Sequence, residues 1–174
     1  MIIEPIGNQQ QDQVRDATLA CLRRAGGIFQ IEFKPVPVSF DLIGRAAGMY
    51  RTGRGERVIR YNPYLFAKYF DNNLDITVPH EVAHYIADRL YGLRNIRAHG
   101  VEWKSVMRAL GAEPRATGRY DLEGIPVRRQ RRFSYRCECN THQLSTARHN
   151  RIRRGQATYY CRVCGSALVP DAAE

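Results

Sequence analysis

The segment "VPHEVAHYIADRLYG", residues 78–92, constrains the fold of this chain more than any other. It places His80 and His84 four residues apart, with Glu81 directly after the first histidine. On a helix, residues i and i+4 share a face, so both imidazoles can point at one metal ion. Apolar residues elsewhere in the segment pack such a helix into a core. The pattern predicts a helix over 77–91 that carries two metal ligands and a carboxylate.

A third protein ligand is needed, because a zinc site that keeps one position open for chemistry has three. His99 lies fifteen residues after His84, at the start of a second predicted helix over 99–110. Glu102, one helical turn further along, is the alternative. We expect His99 to complete the site. Glu81 then stands beside the ion, where it can accept a proton from water.

A second metal site is predicted near the C-terminus, where four of the five cysteines lie between residues 137 and 164. Cys161-x-x-Cys164-Gly has the spacing of a zinc knuckle. The other limb is irregular: Cys137 is favoured as the third ligand, and either Cys139 or His142 is the fourth. A module this small needs a metal to fold. Clustered thiols also favour a reducing compartment, and we expect a cytoplasmic protein.

The basic charge of the chain is concentrated in one stretch. Of the formal net charge of +10, residues 114–165 contribute twelve arginines against three acids, whereas residues 1–113 hold 15 Lys/Arg and 12 Asp/Glu. This asymmetry, with aromatic residues interleaved, favours a nucleic-acid partner. The expected phosphate contacts are Arg151, Arg153 and Arg154. No apolar run is long enough to predict a membrane span, and the first residues do not resemble a signal peptide.

Periodicity gives a coarse order of elements. It predicts an amphipathic helix over 9–25 that ends at Gly26-Gly27, strand alternation over 36–42, and a hairpin in "GMYRTGRGERVIRYNP". We expect the strand in "RVIRYN" to offer a free edge to an extended substrate. Three regions follow: a first domain over 1–113, a basic linker or extended wrap over 114–132, and a separate small module over 133–174.

Taken together, these segments resemble the SprT family. The resemblance covers most of the chain and is carried by "VPHEVAHYIADRLYG", "AHGVEWKSVMRALG" and "YRCECNTHQLSTARHNRIRRGQATYYCRVCGSAL". It implies an α+β fold: a zincin-like metallopeptidase domain with a small antiparallel sheet and an active-site helix, followed by a C-terminal β zinc ribbon. It also implies a catalytic zinc held by His80, His84 and His99 and a zinc ribbon. For the structural zinc of that ribbon the expected ligands are Cys137, Cys139, Cys161 and Cys164, with His142 still the alternative to Cys139.

The expected function is that of a zinc endopeptidase with Glu81 as general base, acting on protein substrates. The related eukaryotic Spartan proteases cut proteins crosslinked to DNA, so the resemblance implies guidance by DNA. The alternative is a nucleic-acid-binding zinc-ribbon protein whose metallopeptidase-like domain is inactive or regulatory. Glu81 favours the enzyme, because a binding protein needs no carboxylate between two metal ligands. The sequence indicates no oligomeric state.

Overall fold

The structure, a computed structural model, describes residues 2–53, 55–115, 118–127 and 131–171. The chain divides into two compact units, Met1–Val127 and Arg128–Glu174. The predicted boundaries, with a first domain ending at 113 and a linker over 114–132, therefore need correction. Residues 118–127 belong to the first unit because Ile125 is buried in it and the Ile3 amide donates to the Gly124 carbonyl. This segment is an extended wrap rather than a linker.

The described residues of the first unit form five helices: α1 (Asn8–Phe29), α2 (Pro63–Lys68), α3 (Phe70–Asp75), α4 (Thr77–Tyr91) and α5 (Val101–Ala109). The helix predicted over 77–91 is confirmed as α4, which ends at Gly92 with a φ of 76°. Helix α1 is longer than expected: Gly26 and Gly27 lie inside it, and it ends at Gln30 in the left-handed region. Within the described ranges, no helix combines the length and apolar character needed to cross a bilayer.

Helix α4 occupies the centre of the first unit and packs against α1, α3 and α5. Its apolar positions recur three and four residues apart, so they form one face, and all of them are at most 2% exposed: Val78, Val82, Ala83, Ile86 and Ala87. Trp103, Val106 and Met107 of α5 close the same core. The histidine-bearing helix is therefore held by packing along its length.

The sheet of the first unit has three strands, β1 (Val38–Ser39), β2 (Gly48–Gly53) and β3 (Glu56–Tyr61), in the order β1-β3-β2. The predicted hairpin is β2–β3, but the sheet is mixed rather than antiparallel. Strand β1 skips β2 and pairs with the far side of β3, where it runs parallel to it. The "RVIRYN" strand thus lies in the middle of the sheet, and the free edge beside α4 is β2. The predicted α+β class is confirmed.

The second unit contains β4 (Arg132–Arg136), β5 (Thr141–Ser145), α6 (Thr146–Arg153) and β6 (Val169–Pro170). The three strands form an antiparallel sheet in the order β5-β4-β6. Its core is small, with Tyr135, Leu144, Cys161 and Leu168 as the buried apolar residues. The segment that carries Arg151 and Arg153 is the helix α6. None of its residues is buried, so it has no apolar periodicity from which to predict it.

Candidate active site

Three imidazoles converge in the first unit. The Nε2 atoms of His80 and His84 are 3.3 Å apart, and the Nε2 atom of His99 lies 3.0 Å and 3.1 Å from them. A zinc ion bound to nitrogen at about 2.0–2.1 Å in tetrahedral geometry separates its ligand nitrogens by about 3.3 Å. The cluster therefore fits one such ion. Glu102, the alternative ligand, lies outside the cluster.

The backbone around His99 is unusual. His99 has a φ of 56°, in the left-handed region that few residues with side chains adopt. Gly100 follows, and a Cβ there would lie 2.9 Å from the Arg97 carbonyl oxygen. This tight turn directs the imidazole back toward α4. Local strain at a site is held in place by the packing of its surroundings.

Trp103 packs against all three imidazoles of the histidine cluster. Its ring centroid lies 4.7 Å, 5.4 Å and 4.7 Å from those of His80, His84 and His99. Its indole Nε1 donates to the His80 carbonyl at 3.3 Å. The main chain of Arg115 lies near the His80 imidazole and raises its pKa, against the larger effect of burial. Outer contacts of this kind hold the rings of a metal site in place.

Burial keeps the histidines neutral. It lowers the pKa of His80 to about 4, with a smaller effect of His99, and it lowers the pKa of His84 to about 3. The pKa of His99 is also lowered by burial. At neutral pH each imidazole is therefore neutral and has one nitrogen lone pair to offer to a cation at the point where the three Nε2 atoms meet.

Glu81 is buried beside this cluster, with 5% of its surface exposed. Its Oε2 accepts a hydrogen bond from the Tyr50 backbone amide at 2.6 Å. Burial raises the pKa of Glu81 to about 7, and the Tyr50 amide partly offsets this rise. Gly48 lies against the same side chain, since a Cβ there would be 2.5 Å from the Glu81 Cγ. Strand β2 thus holds the carboxylate by both shape and a hydrogen bond.

Tyr50 is tied to α4 at a second point. Its hydroxyl donates to Asp88 Oδ2 at 2.6 Å, and Arg57 Nε donates to the same oxygen at 2.7 Å. Asp88 lies seven residues, or two helical turns, after Glu81, so both carboxylates face β2. Asp88 is buried, and hydrogen bonds from Tyr50 and Arg57 outweigh its burial and lower its pKa. The two contacts fix the distance between β2 and α4.

The cluster opens into a cleft of about 1040 Å³. Part of its wall is the segment 118–127, which we call the strap. Tyr120 of the strap contributes to the lining, and its hydroxyl donates to Asn73 Oδ1 at 2.8 Å. Lys68 anchors the strap through Asp121 at 2.8 Å and the Glu123 carbonyl at 2.9 Å. The wrap predicted from sequence therefore helps to shape the site.

The second unit brings four thiols together: Cys137, Cys139, Cys161 and Cys164, with all Sγ atoms within 4.8 Å of one another. The Sγ atoms of Cys137 and Cys139 are 3.5 Å apart, and those of Cys139 and Cys161 are 3.7 Å apart. Zinc–sulfur bonds of about 2.3 Å give similar spacings in a tetrahedron. The Nε2 of His142 lies 3.2 Å from the Cys137 Sγ but is not part of the set. The four cysteines fit a closed metal site.

The arginines expected to contact nucleic acid lie on or beside α6, and Arg151, Arg153 and Arg154 are exposed. The interleaved aromatic residues are mostly occupied otherwise. Tyr135 is 1% exposed, and Phe133 stacks on His149 with ring centroids 3.7 Å apart. Tyr160, at 63% exposed, is the free aromatic surface. The helix therefore offers charge, with little stacking area beside it.

Three histidines and a buried carboxylate in one cleft are the arrangement of a metallopeptidase-like domain. The SprT-like family model matches residues 19–131. Protein SprT from Pseudomonas paraeruginosa (strain DSM 24068 / PA7) is 40% identical over 153 residues, covering 86% of this chain and 89% of that protein. Protein SprT from Vibrio atlanticus (strain LGP32) is 38% identical over 159 residues, covering 91% and 92%. The chain belongs to the SprT-like family. No solved structure gives a significant match to it.

Several residues that shape the site carry no clear sequence signal. Gly48, Tyr50 and Asp88 act across distances of more than 30 residues along the chain. Tyr120 lies in a segment without periodicity. Trp103 was identifiable only as an apolar helix residue three positions after a His-Gly pair. Its contact with all three imidazoles depends on how α5 packs on α4.

Proposed function

We propose that the first unit is a zinc-dependent endopeptidase of zincin-like fold. His80, His84 and His99 would hold the zinc, and Glu81 would be the general base. One arrangement carries the proposal: three Nε2 atoms within 3.3 Å of one another share an open cleft with a buried carboxylate. Membership of the SprT-like family, which suggests a metallopeptidase-like domain, supports it.

Zinc bound there would polarise the substrate carbonyl and make water more acidic. Glu81 accepts the proton of the attacking water and later gives it to the leaving amine. Burial raises the pKa of Glu81 in the metal-free site, which favours uptake of a proton by this carboxylate. The Tyr50 amide and Gly48 hold this carboxylate in one orientation, so that no rearrangement is needed during the reaction.

Metal content and casein cleavage, measured together, test the proposal. His80→Ala should lower zinc from one ion in each of the two clusters to the cysteine-bound ion alone and abolish cleavage. Glu81→Gln should keep both ions and still abolish cleavage. Glu102→Gln, a matched change outside the histidine cluster, should leave both unchanged. A single zinc that persists in His80→Ala, with no cleavage by the intact protein, would favour the alternative of an inactive domain.

We further propose that the second unit holds a structural zinc through its four cysteines and binds DNA. The residues described between 131 and 171 carry eight arginines and two acids. Arginines exposed along one short helix suit a phosphate backbone. Thiols that must stay reduced to bind metal favour a compartment such as the cytoplasm.

Salt dependence tests DNA binding. Affinity for single-stranded DNA should fall steeply with salt, and replacement of Arg151, Arg153 and Arg154 by Gln should reduce the slope of log K against log salt by about 2, near 0.7 per lost phosphate contact. DNA should also stimulate casein cleavage by the intact protein. An affinity that does not change with salt would contradict the proposal. Arg23→Gln, on α1 of the first unit, serves as the matched control.

A further inference from the structure

Four arginines line the cleft, and they come from three separate parts of the chain. Arg45 precedes β2, Arg97 precedes the turn before α5, and Arg115 and Arg119 lie close to or within the strap. All four are exposed. Among the lining residues that the structure describes, Glu81 is the only acid, and it is buried. The accessible charge of the cleft is therefore positive.

The positive charge of residues 1–127 is concentrated in the cleft rather than spread evenly over the surface. Residues 1–127 contain 17 Lys/Arg and 14 Asp/Glu. Apart from the four arginines and one glutamate that line the cleft, they contain thirteen of each sign. The positive surplus of this part of the chain is thus accounted for by the described lining of the cleft.

Three of the four guanidinium groups have no acidic partner in the part of the chain that the structure describes. Arg115 pairs with Glu113 at 2.9 Å. Within the described residues, no carboxylate lies within ion-pair distance of Arg45, Arg97 or Arg119. A guanidinium group offers a planar fork of donors that matches a carboxylate. Three guanidinium groups without a carboxylate partner around one cleft attract anionic groups and repel cationic ones.

We propose that the cleft selects peptide segments rich in Asp and Glu on either side of the bond to be cut. This inference rests on the proposed function, because it requires that a peptide lies in the cleft. A peptide is favoured over nucleic acid because these arginines surround the histidine cluster individually, on separate segments. The continuous basic surface that a phosphate backbone needs is present on α6 of the second unit instead.

Binding to the full chain carrying Glu81→Gln separates recognition from cleavage. Three fluorescent peptides share one central sequence and are flanked by Glu, Gln or Lys. At low salt the Glu-flanked peptide should bind about tenfold more tightly than the Gln-flanked peptide, from two or three exposed ion pairs. The Lys-flanked peptide should bind most weakly, and the differences should shrink as salt is added.

Charge reversal provides the matched comparison. Arg45→Glu with Arg119→Glu, added to Glu81→Gln, should reverse the order of the three peptides. Arg23→Glu with Arg108→Glu changes the net charge equally at exposed positions that do not line the cleft, and should keep the original order. Thermal melting of both variants checks that they fold. An order unchanged by the Arg45 and Arg119 reversals would overturn the proposal.

Cleavage by the active protein distinguishes this proposal from the proposed function. We expect the flanking charge to alter KM and leave kcat within about twofold. Equal binding of the three peptides, with cleavage intact, would overturn the charge preference and leave the peptidase standing. Charge-ordered binding without cleavage of any peptide would do the reverse.

A competition experiment tests whether single-stranded nucleic acid, rather than an acidic peptide, occupies the cleft. The competitor is a 20-nucleotide single strand, added to the Glu81→Gln protein in which Arg151, Arg153 and Arg154 are Gln. We expect it to displace the Glu-flanked peptide more weakly than the same peptide without its label does. Stronger displacement, lost on reversal of Arg45 and Arg119, would make the cleft a nucleic-acid groove and overturn the proposal.

Discussion

The two candidate metal clusters are supported in opposite ways. The histidines are carried on or beside helices that belong to a core of 19 buried apolar residues. The cysteines lie on turns of a unit whose core has four. Burial of apolar surface scales with the size of a domain, so the first core is large enough to be stable without a metal, and we expect the second to depend on one. If both clusters bind metal, the fold of the first unit positions its histidines, whereas the fold of the second unit depends on its bound ion.

Removal of the metal should affect the two units most unequally. After strong chelation, we expect amides between 131 and 171 to lose their protection from hydrogen exchange, while those of α4 keep it. A structural zinc site contributes about 10–16 kcal/mol to folding, which no other interaction in this unit replaces. Mass-spectrometric hydrogen exchange measures both regions in one experiment.

Single substitutions provide the controls. Cys161→Ser should unfold the second unit with zinc present. Cys21→Ala should not affect it, because Cys21 packs against the core of the first unit, where burial raises the pKa of its thiol to about 11. Protection that survives chelation between 131 and 171 would show that the small core suffices alone.

Gly48→Ala should have the next largest effect, on activity rather than on metal content. A Cβ at position 48 would meet the Glu81 Cγ at 2.5 Å and the Thr77 Cγ2 at 2.8 Å, so the carboxylate must move. We expect kcat to fall about a hundredfold with zinc retained, as misplacement by about 1 Å does elsewhere. Gly53→Ala, on the same strand with nothing within 4 Å, is the control. Full activity in Gly48→Ala would show that Glu81 needs no fixed position.

Acid should destabilise the metal-free first unit. The pKa of His80 falls from 6.5 to about 4 and that of His84 to about 3 on folding, so the unfolded chain binds more protons in this range. The stability from these neutral histidines is complete above pH 6.5 and is lost as the pH falls through about 4 to 3. The loss is roughly 3 kcal/mol or more.

Urea unfolding of the chelated protein measures this dependence. Trp103, the one tryptophan of the chain, lies against the histidines and reports on this unit by its fluorescence. His84→Leu should flatten the pH dependence, and His142→Leu, in the second unit, should not. Equal stability of the chelated protein at pH 7 and pH 4.5 would mean that folding does not lower these pKa values.

The smallest effect is expected for Tyr50→Phe. It removes the hydroxyl that donates to Asp88 and keeps the backbone amide that donates to Glu81. We expect a loss of about 1–3 kcal/mol in the free energy of unfolding, because the hydrogen bond is to a buried charge, and a change in kcat of less than about tenfold. Tyr91→Phe, at an exposed tyrosine on α4, the helix that carries Asp88, is the control. An unaltered unfolding midpoint would contradict a role for this contact.

The sequence predicted the structural features that depend on residues close together along the chain. Helix α4 and the pairing of His80 with His84 follow from helical periodicity, and Cys161 with Cys164 follows from a two-residue spacing. These features are local, so a pattern of a few residues contains them. His99 is not local, and its inclusion followed instead from the number of ligands that zinc needs.

What the sequence did not predict depends on packing over longer distances. Glu81 meets Tyr50 31 residues away, and Asp88 meets the same tyrosine 38 residues away. The mixed sheet arises because β1 joins the far side of β3, a choice that strand alternation does not contain. Helix α6 was missed because it buries no residue, so neither face is marked by apolar side chains.

The strap determines the residue at which a shortened first unit can end. Ile125 and the aromatic ring of Tyr120 cover Leu65 and Tyr69, and their removal would expose apolar surface beside the cleft. A shortened protein that ends at residue 113 would also lose Arg115, Arg119 and Tyr120 from the lining of the cleft. A first unit prepared for biochemistry should therefore end after Val127, and proteolytic trimming of the strap should alter the cleft without touching the three histidines.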